Sequence, residues 1–206
     1  MLFSEVKISR FQRPSRYINS EHNSIHRKAE LSVALAFPDA YEVGMSHLGM
    51  RILYDIANRL PFARAERVFA PWLDLKSAML EEGAPLASLE SATPLAKFDV
   101  LGFSLLYELS YPTVLAMMKL AGIPLQSGQR MSDGEWPLVI AGGPCTVNPM
   151  PMSRFIDAFL IGDGEEAFPE ILRICHEWKT GGSRDRHRFM TGTASFSFSI
   201  LTPIRE

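Results

Sequence analysis

Apolar positions in this chain come in short continuous runs, each closed by Gly, Pro or a polar turn. Leu31–Phe37 (LSVALAF) ends at Pro38-Asp39, and 67–70 (RVFA) ends at Pro71. A third run, 98–105 (FDVLGFSL), leads into Leu106-Tyr107-Glu108. The fourth, 138–140 (LVI), ends on Gly142-Gly143-Pro144, and Ala158–Ile161 ends on Gly162-Asp163-Gly164. Runs of this length predict strands covered on both faces, as in a parallel sheet. Between them the apolar period lengthens to that of a helix. Leu48, Ile52, Leu53 and Ile56 form one stripe, with Ser46 as its N-cap. Leu73–Glu82 presents Leu75, Met79 and Leu80 on one side and stops at Gly83. Pro112 opens a helix that is apolar nearly all round and closes at Gly122. Glu165-Glu166 suit the positive end of a helix carrying Phe168, Ile171, Leu172 and Cys175. The stretch 126–135 is polar and reads as a loop.

Strands alternating with helices predict an α/β fold: a parallel sheet with helices on both faces and right-handed crossovers. Five strands favour the flavodoxin-like (Rossmann-like) order 2-1-3-4-5, with its switch point between the first and third strands. The loops 44–49 and 104–108 flank that point. Ligands of such sheets bind outside the carboxyl ends of the strands, where glycine lets the backbone approach closely. Three segments follow. Residues 1–28 form a polar arm lying on the domain, 29–180 the α/β domain, and 181–206 an irregular or disordered tail. Alternation over 195–201 suggests one edge strand in that tail. Within the arm, Arg16-Tyr17-Ile18-Asn19 mixes a cation, an aromatic ring and an amide, which suits a small ligand or a partner contact.

The totals narrow the function. A net charge of −2 argues against a protein that mainly grips phosphate backbones, and 47% hydrophobic residues suffice for a core. Two cysteines, no signal peptide and no apolar run of membrane-spanning length point to a cytoplasmic protein. The P-loop is absent, because Gly44-x4-Gly49 is followed by Met50-Arg51 rather than by lysine. The dinucleotide fingerprint and the Gly-x-Ser-x-Gly elbow are absent too. Cys145 reads as a small structural residue or a reactive thiol. His47 reads as a ligand-facing group or a local hydrogen-bonding one. These residues describe a ligand-binding α/β domain without a catalytic set.

Several stretches nevertheless carry a family likeness. Gly142-Gly143-Pro144, Asp157 and Gly162-Asp163-Gly164-Glu165 form one pattern. Arg13-Pro14-Ser15-Arg16-Tyr17-Ile18 and Glu21-His22-Asn23-Ser24 lead into Ala36-Phe37-Pro38-Asp39-Ala40-Tyr41-Glu42-Val43-Gly44-Met45-Ser46-His47-Leu48-Gly49. Glu66-Arg67-Val68-Phe69-Ala70-Pro71-Trp72, Ser88-Leu89-Glu90-Ser91 and Gly102-Phe103-Ser104-Leu105-Leu106-Tyr107-Glu108-Leu109 continue it. Together they resemble the N-terminal cobalamin-binding-like domain of radical SAM proteins of the cobalamin-binding class. The resemblance spans about residues 10 to 178. It implies a binding rim of Gly44, Ser46, His47, Leu48 and Gly49; Ser104, Leu105, Tyr107 and Glu108; Gly142, Gly143 and Pro144; and Gly162, Asp163, Gly164 and Glu165. Cobalamin is the implied cofactor, without a lower axial histidine: that ligand belongs to Asp-x-His-x-x-Gly, whereas His47 has Met45 before it and Met50 after it. The family's [4Fe–4S] cluster and S-adenosylmethionine belong to a radical SAM barrel marked by Cys-x3-Cys-x2-Cys. This chain, truncated before such a motif, is expected to be non-catalytic alone. An interaction module that packs on a barrel in cis or in trans, without cobalamin, is the alternative.

Overall fold

The five apolar runs lie side by side as parallel strands: β1 (Leu31–Phe37), β2 (Ala63–Phe69), β3 (Val100–Ser104), β4 (Leu138–Gly142) and β5 (Ala158–Ile161). The computed structural model describes residues 5–19, 21–133, 135–181 and 199–201. Their order is 2-1-3-4-5, the flavodoxin-like order that the alternation predicts. A short β6 (Ser199–Leu201) adds antiparallel to β5, so part of the expected edge strand is present; the rest of the tail lies outside the described residues. The helices in chain order are α1 (Glu5–Ile8), α2 (Tyr41–Ser46), α3 (Leu48–Arg59), α4 (Leu73–Glu82), α5 (Tyr111–Leu120), α6 (Ser127–Asp133) and α7 (Gly164–Thr180).

β1 is apolar except for Ser32, which is hydrogen-bonded to Asp99, because both its faces are covered. Ala34 and Ala36 enter one core with α4 and α5, while Leu31, Val33, Leu35 and Phe37 enter the other with α3 and α7. Successive residues point to opposite faces of a strand, so the buried run from Val33 to Phe37 is apolar at every position.

Four expectations change. β2 begins at Ala63 and carries Glu66 and Arg67, both almost wholly buried. Charge hides this strand from a hydropathy reading. It is tolerable because residues 86–94 cover the sheet edge: Leu89 N–H donates to Arg67 O at 2.8 Å, and Ser88 and Ser91 hydroxyls each donate to Glu66 Oε2 at 2.6 Å. The cap of α3 is His47, not Ser46; its Nδ1 accepts from Met50 N–H at 3.2 Å. The deepest stripe of α3 is Met50, Tyr54, Ala57 and Asn58, and Leu48 is exposed. Asn58 is satisfied inside, donating to Tyr54 O and Ala65 O and accepting from Ala65 N–H. On α4, Leu75 and Met79 are buried but Leu80 faces out.

The polar stretch 126–135 contains α6, whose inward anchor is an arginine. Arg130 is fully buried, donating through Nη1 to Pro124 O and Leu125 O and through Nη2 to Phe155 O and Asp157 Oδ1. Asp157 also accepts from Ser127 Oγ at 2.6 Å and Val139 N–H at 2.7 Å. Replacing Asp157 with alanine strands a buried guanidinium. The expected loss is about 3–5 kcal/mol, measurable as a lower urea midpoint.

Candidate functional site

The carboxyl ends of the strands carry the predicted rim, and hydrogen bonds stitch it together. Across the switch point, the Tyr107 hydroxyl donates to Asp39 Oδ2 at 2.6 Å, which raises the phenol's pKa. Leu105 N–H donates to Gly142 O at 2.7 Å and Cys145 N–H to Leu105 O at 3.1 Å. Gly143 has φ 113°, and a Cβ there would lie 2.7 Å from Leu105 O, so only glycine closes this turn. Pro144 starts a 3-10 turn in which Thr146 Oγ1 donates to Gly143 O and Leu160 O.

The first rim segment is helical rather than a loop. Gly44 lies within α2, where a Cβ would meet the Phe69 ring at 2.3 Å. Its role is close packing. Ser46 Oγ donates to Val43 O, and Gly49 sits against the His47 ring. The His47 ring also packs on Phe37, with centroids 5.0 Å apart. Gly164 approaches Leu53 where α7 meets α3, and Asp163 caps α7 without a side-chain bond, ahead of Glu165. Gly162, at φ 114°, is the rim glycine with open space beside it. Ser104 ends β3, and Glu108 opens a 3-10 turn.

Outward, the rim is apolar. Leu48, Leu109, Val147 and Met150 are 65–88% exposed, and Val43 and Tyr107 more than 40%. They follow β1, β3 and β4, so the topology gathers them on one end of the sheet. Tyr107 and Trp72 are both exposed.

The arm creates a second feature that sequence reasoning placed only in outline. Arg13 Nη1 and Arg16 Nε both donate to Glu42 Oε1, at 2.7 and 2.9 Å. Gln12 N–H and the Tyr17 hydroxyl donate to Asp74, and the Tyr41 hydroxyl donates to Glu21. The stretches that carry the family likeness in the arm, α2, β2 and 88–91 thus meet around a cleft of about 80 Å³. Arg16, Tyr17, Tyr41, Trp72 and Ser88 line it together with aliphatic side chains. Burial pushes Tyr17 and Tyr41 up to about 12, so both remain neutral donors.

Metal chemistry finds little purchase. Cys145 lies in the core of the α4/α5 face and Cys175 in that of the α3/α7 face, with the sheet between them. Burial pushes the Cys175 thiol well above its usual range. Among the described residues, no group of three His, Cys, Asp or Glu side chains could hold a metal ion. Nδ1 of His47 is engaged as the α3 cap, accepting from Met50 N–H at 3.2 Å. No described helix is long and apolar enough to cross a membrane.

The sheet order and its apolar rim define a flavodoxin-like α/β domain. The family model for the N-terminal region of radical SAM proteins matches residues 49–199, well over half of the chain. The chain belongs to that family. No curated protein matches it in sequence.

Two outcomes follow. Arg16 chiefly holds the Glu42 carboxyl down to about 2 from its ordinary 4.5; partial burial opposes this and Arg13 assists. A depressed carboxyl stabilises the fold fully above its ordinary value and ceases to do so as pH falls through about 2. The stability gap between wild type and Glu42→Gln is therefore expected to be constant above pH 4.5 and to shrink toward pH 2 in acid titrations followed by circular dichroism. Anaerobic reconstitution with iron and sulfide is expected to leave no [4Fe–4S] cluster, because three thiolates cannot converge. Iron analysis giving about four per chain would contradict this.

Proposed function

We propose that the domain is a non-catalytic docking module that seats its apolar strand-end rim on a radical SAM barrel. The observation that carries this is the gathering of Val43, Leu48, Tyr107, Leu109, Val147 and Met150, all exposed, at the carboxyl end of β1, β3 and β4. Exposed apolar side chains gathered at one end of a sheet mark an interaction site. The inward polar groups of this rim are already engaged. Tyr107 holds Asp39, Leu105 holds Gly142, and Thr146 holds Leu160. What faces outward is thus mainly hydrocarbon, with the exposed carboxylates of Glu108, Asp163 and Glu165 at the same strand ends, which suits a protein surface better than a polar cofactor.

A second reading keeps a cobalamin-type ligand at the same crevice. The flavodoxin-like switch point and the open space beside Gly162 favour it. Bound there, cobalamin would supply a corrin-held cobalt. This chain would offer the backbone at 142–144 and 162–164 but no axial histidine, since Nδ1 of His47 is used as a cap. Tyr107 would have to release Asp39 to open the crevice.

The two readings separate in one set of measurements. Leu109→Glu with Val147→Glu alters two of the most exposed rim residues and should leave the melting temperature unchanged. Under the docking reading, this double variant binds a radical SAM barrel supplied in trans at least about tenfold more weakly in sedimentation experiments. Under that reading, hydroxocobalamin causes neither thermal stabilisation nor a spectral shift. Wild-type chain that ignores the barrel but is stabilised by hydroxocobalamin would favour the second reading.

A further inference from the structure

We propose that the cleft beneath the N-terminal arm binds a small monocarboxylate through Arg16. The arm's 3-10 turn (Pro14–Tyr17) turns this side chain inward, leaving it 7% exposed. A guanidinium stays charged at any ordinary pH. Nε is satisfied by Glu42, but Nη1 is buried and has no acceptor. The Trp72 ring lies over the guanidinium at 4.7 Å. A buried donor without a partner is costly, and native structures seldom keep one without a ligand or an ordered water.

Charge points the same way. Glu42 Oε1 is shared by Arg13 and Arg16, so two cations meet one carboxylate at this wall. Asp74, the other acid nearby, already accepts from Gln12 N–H, Leu75 N–H and the Tyr17 hydroxyl. Arg13 and Arg16 are thus balanced by Glu42 and Asp74, and beyond the one charge that Arg16 Nη1 would pair, a second negative charge would be left buried without a partner. This favours a carboxylate over a phosphate dianion. Size and walls define the rest of the ligand. About 80 Å³ is well below the roughly 300–1,000 Å³ of cofactor and drug pockets. Ile8, Val68, Leu75 and Leu86 give it aliphatic walls. A short alkyl chain fits such walls, whether it belongs to a free acid or to the carboxylate end of a peptide.

Nitrogen–proton NMR titration of the full chain tests this, with the Trp72 indole signal as the reporter. Propionate is the probe, with propionamide as its neutral isostere, inorganic phosphate as the dianion, and N-acetyl-Ala-Ala as the peptide source. The expected result is a saturable shift with propionate or the peptide, at millimolar concentration, and none with propionamide. The tighter of the two carboxylates identifies the source. Arg16→Gln should abolish the shift. Ala87→Leu, which fills the cleft while leaving Arg16 and its Glu42 bond in place, should weaken binding at least about tenfold. The proposal is overturned if wild type shows no saturable shift up to about 50 mM. Equal response to propionamide, tighter binding of phosphate, or wild-type affinity in folded Ala87→Leu would overturn it as well, and would leave Nη1 to an ordered water. None of these outcomes bears on the rim.

Discussion

One buried ion pair joins more parts of this domain than any other contact. Arg67, on the edge strand β2, donates through Nε to Glu90 Oε1 at 2.6 Å, and its backbone N–H donates to Glu90 Oε2 at 2.7 Å. The same guanidinium reaches Ser24 of the arm and Met45 of α2, and lies over the Tyr54 ring of α3 at 4.4 Å. Glu90 in turn offers its carbonyl to the Asn19 amide, and Tyr54 accepts from Ile25 N–H. Burial alone raises the Glu90 carboxyl, and Arg67 works against that rise. A pair like this gains little net stability, because desolvating both ions cancels most of their attraction. Its effect is positional. The arm, α2, α3 and the segment 86–94 can all satisfy one guanidinium and one carboxylate in a single arrangement only.

That positional effect explains why the domain has two distinct faces of interest. The edge of β2 would otherwise be an open row of backbone donors and acceptors. Segment 86–94 and the arm cover it, and the covering creates the cleft around Arg16. At the strand ends the situation is reversed. Polar groups are turned inward, in Tyr107–Asp39 and in the bonds across Leu105, Gly142 and Thr146, and hydrocarbon is left outside. A single sheet therefore carries a charged, recessed cleft on its flank and exposed apolar side chains at its end.

The sheet was legible because its central strands must be apolar on both faces; β1, β3, β4 and β5 announce themselves in this way. What hydropathy could not read were the places where ions are buried. The first half of β2 and the whole of α6 look like solvated chain, since Arg64, Glu66 and Arg130 carry charge. The partners of Glu66 and Arg130 lie 22 to 27 residues away, at Ser88, Ser91 and Asp157, and no periodicity links such pairs. The glycines of the expected rim do lie at or just beyond the strand ends, but several of them have a packing reason. Gly143 avoids Leu105 O and Gly44 makes room for Phe69, so these glycines serve closure and packing. His47 was legible as a residue near a helix start, and its local role as the cap is the one the geometry supports. The cleft was hinted at by Arg16-Tyr17-Ile18-Asn19. Its other wall comes from β2 and 86–92, which sequence distance concealed.

Magnitudes bear on how an apolar rim of this kind works. Fully burying an aliphatic or aromatic side chain contributes about 1.5–3 kcal/mol, and the rim residues are already partly covered, so each adds less than that. Six such residues give a gross contribution of the same order as the roughly 4–15 kcal/mol cost of bringing two free bodies together. Contact in trans is therefore expected to be weak and to depend on polar contacts at the margin. Tethering changes the balance. A domain carried on the same chain as its barrel meets it at an effective concentration of about millimolar. The association cost is then largely removed, and the same patch is enough to keep the two seated. Under the proposed docking, selection of the partner would fall to features that repel wrong surfaces, and the exposed Glu108, Asp163 and Glu165 at the same strand ends would do so by facing positive charge only on a matching barrel.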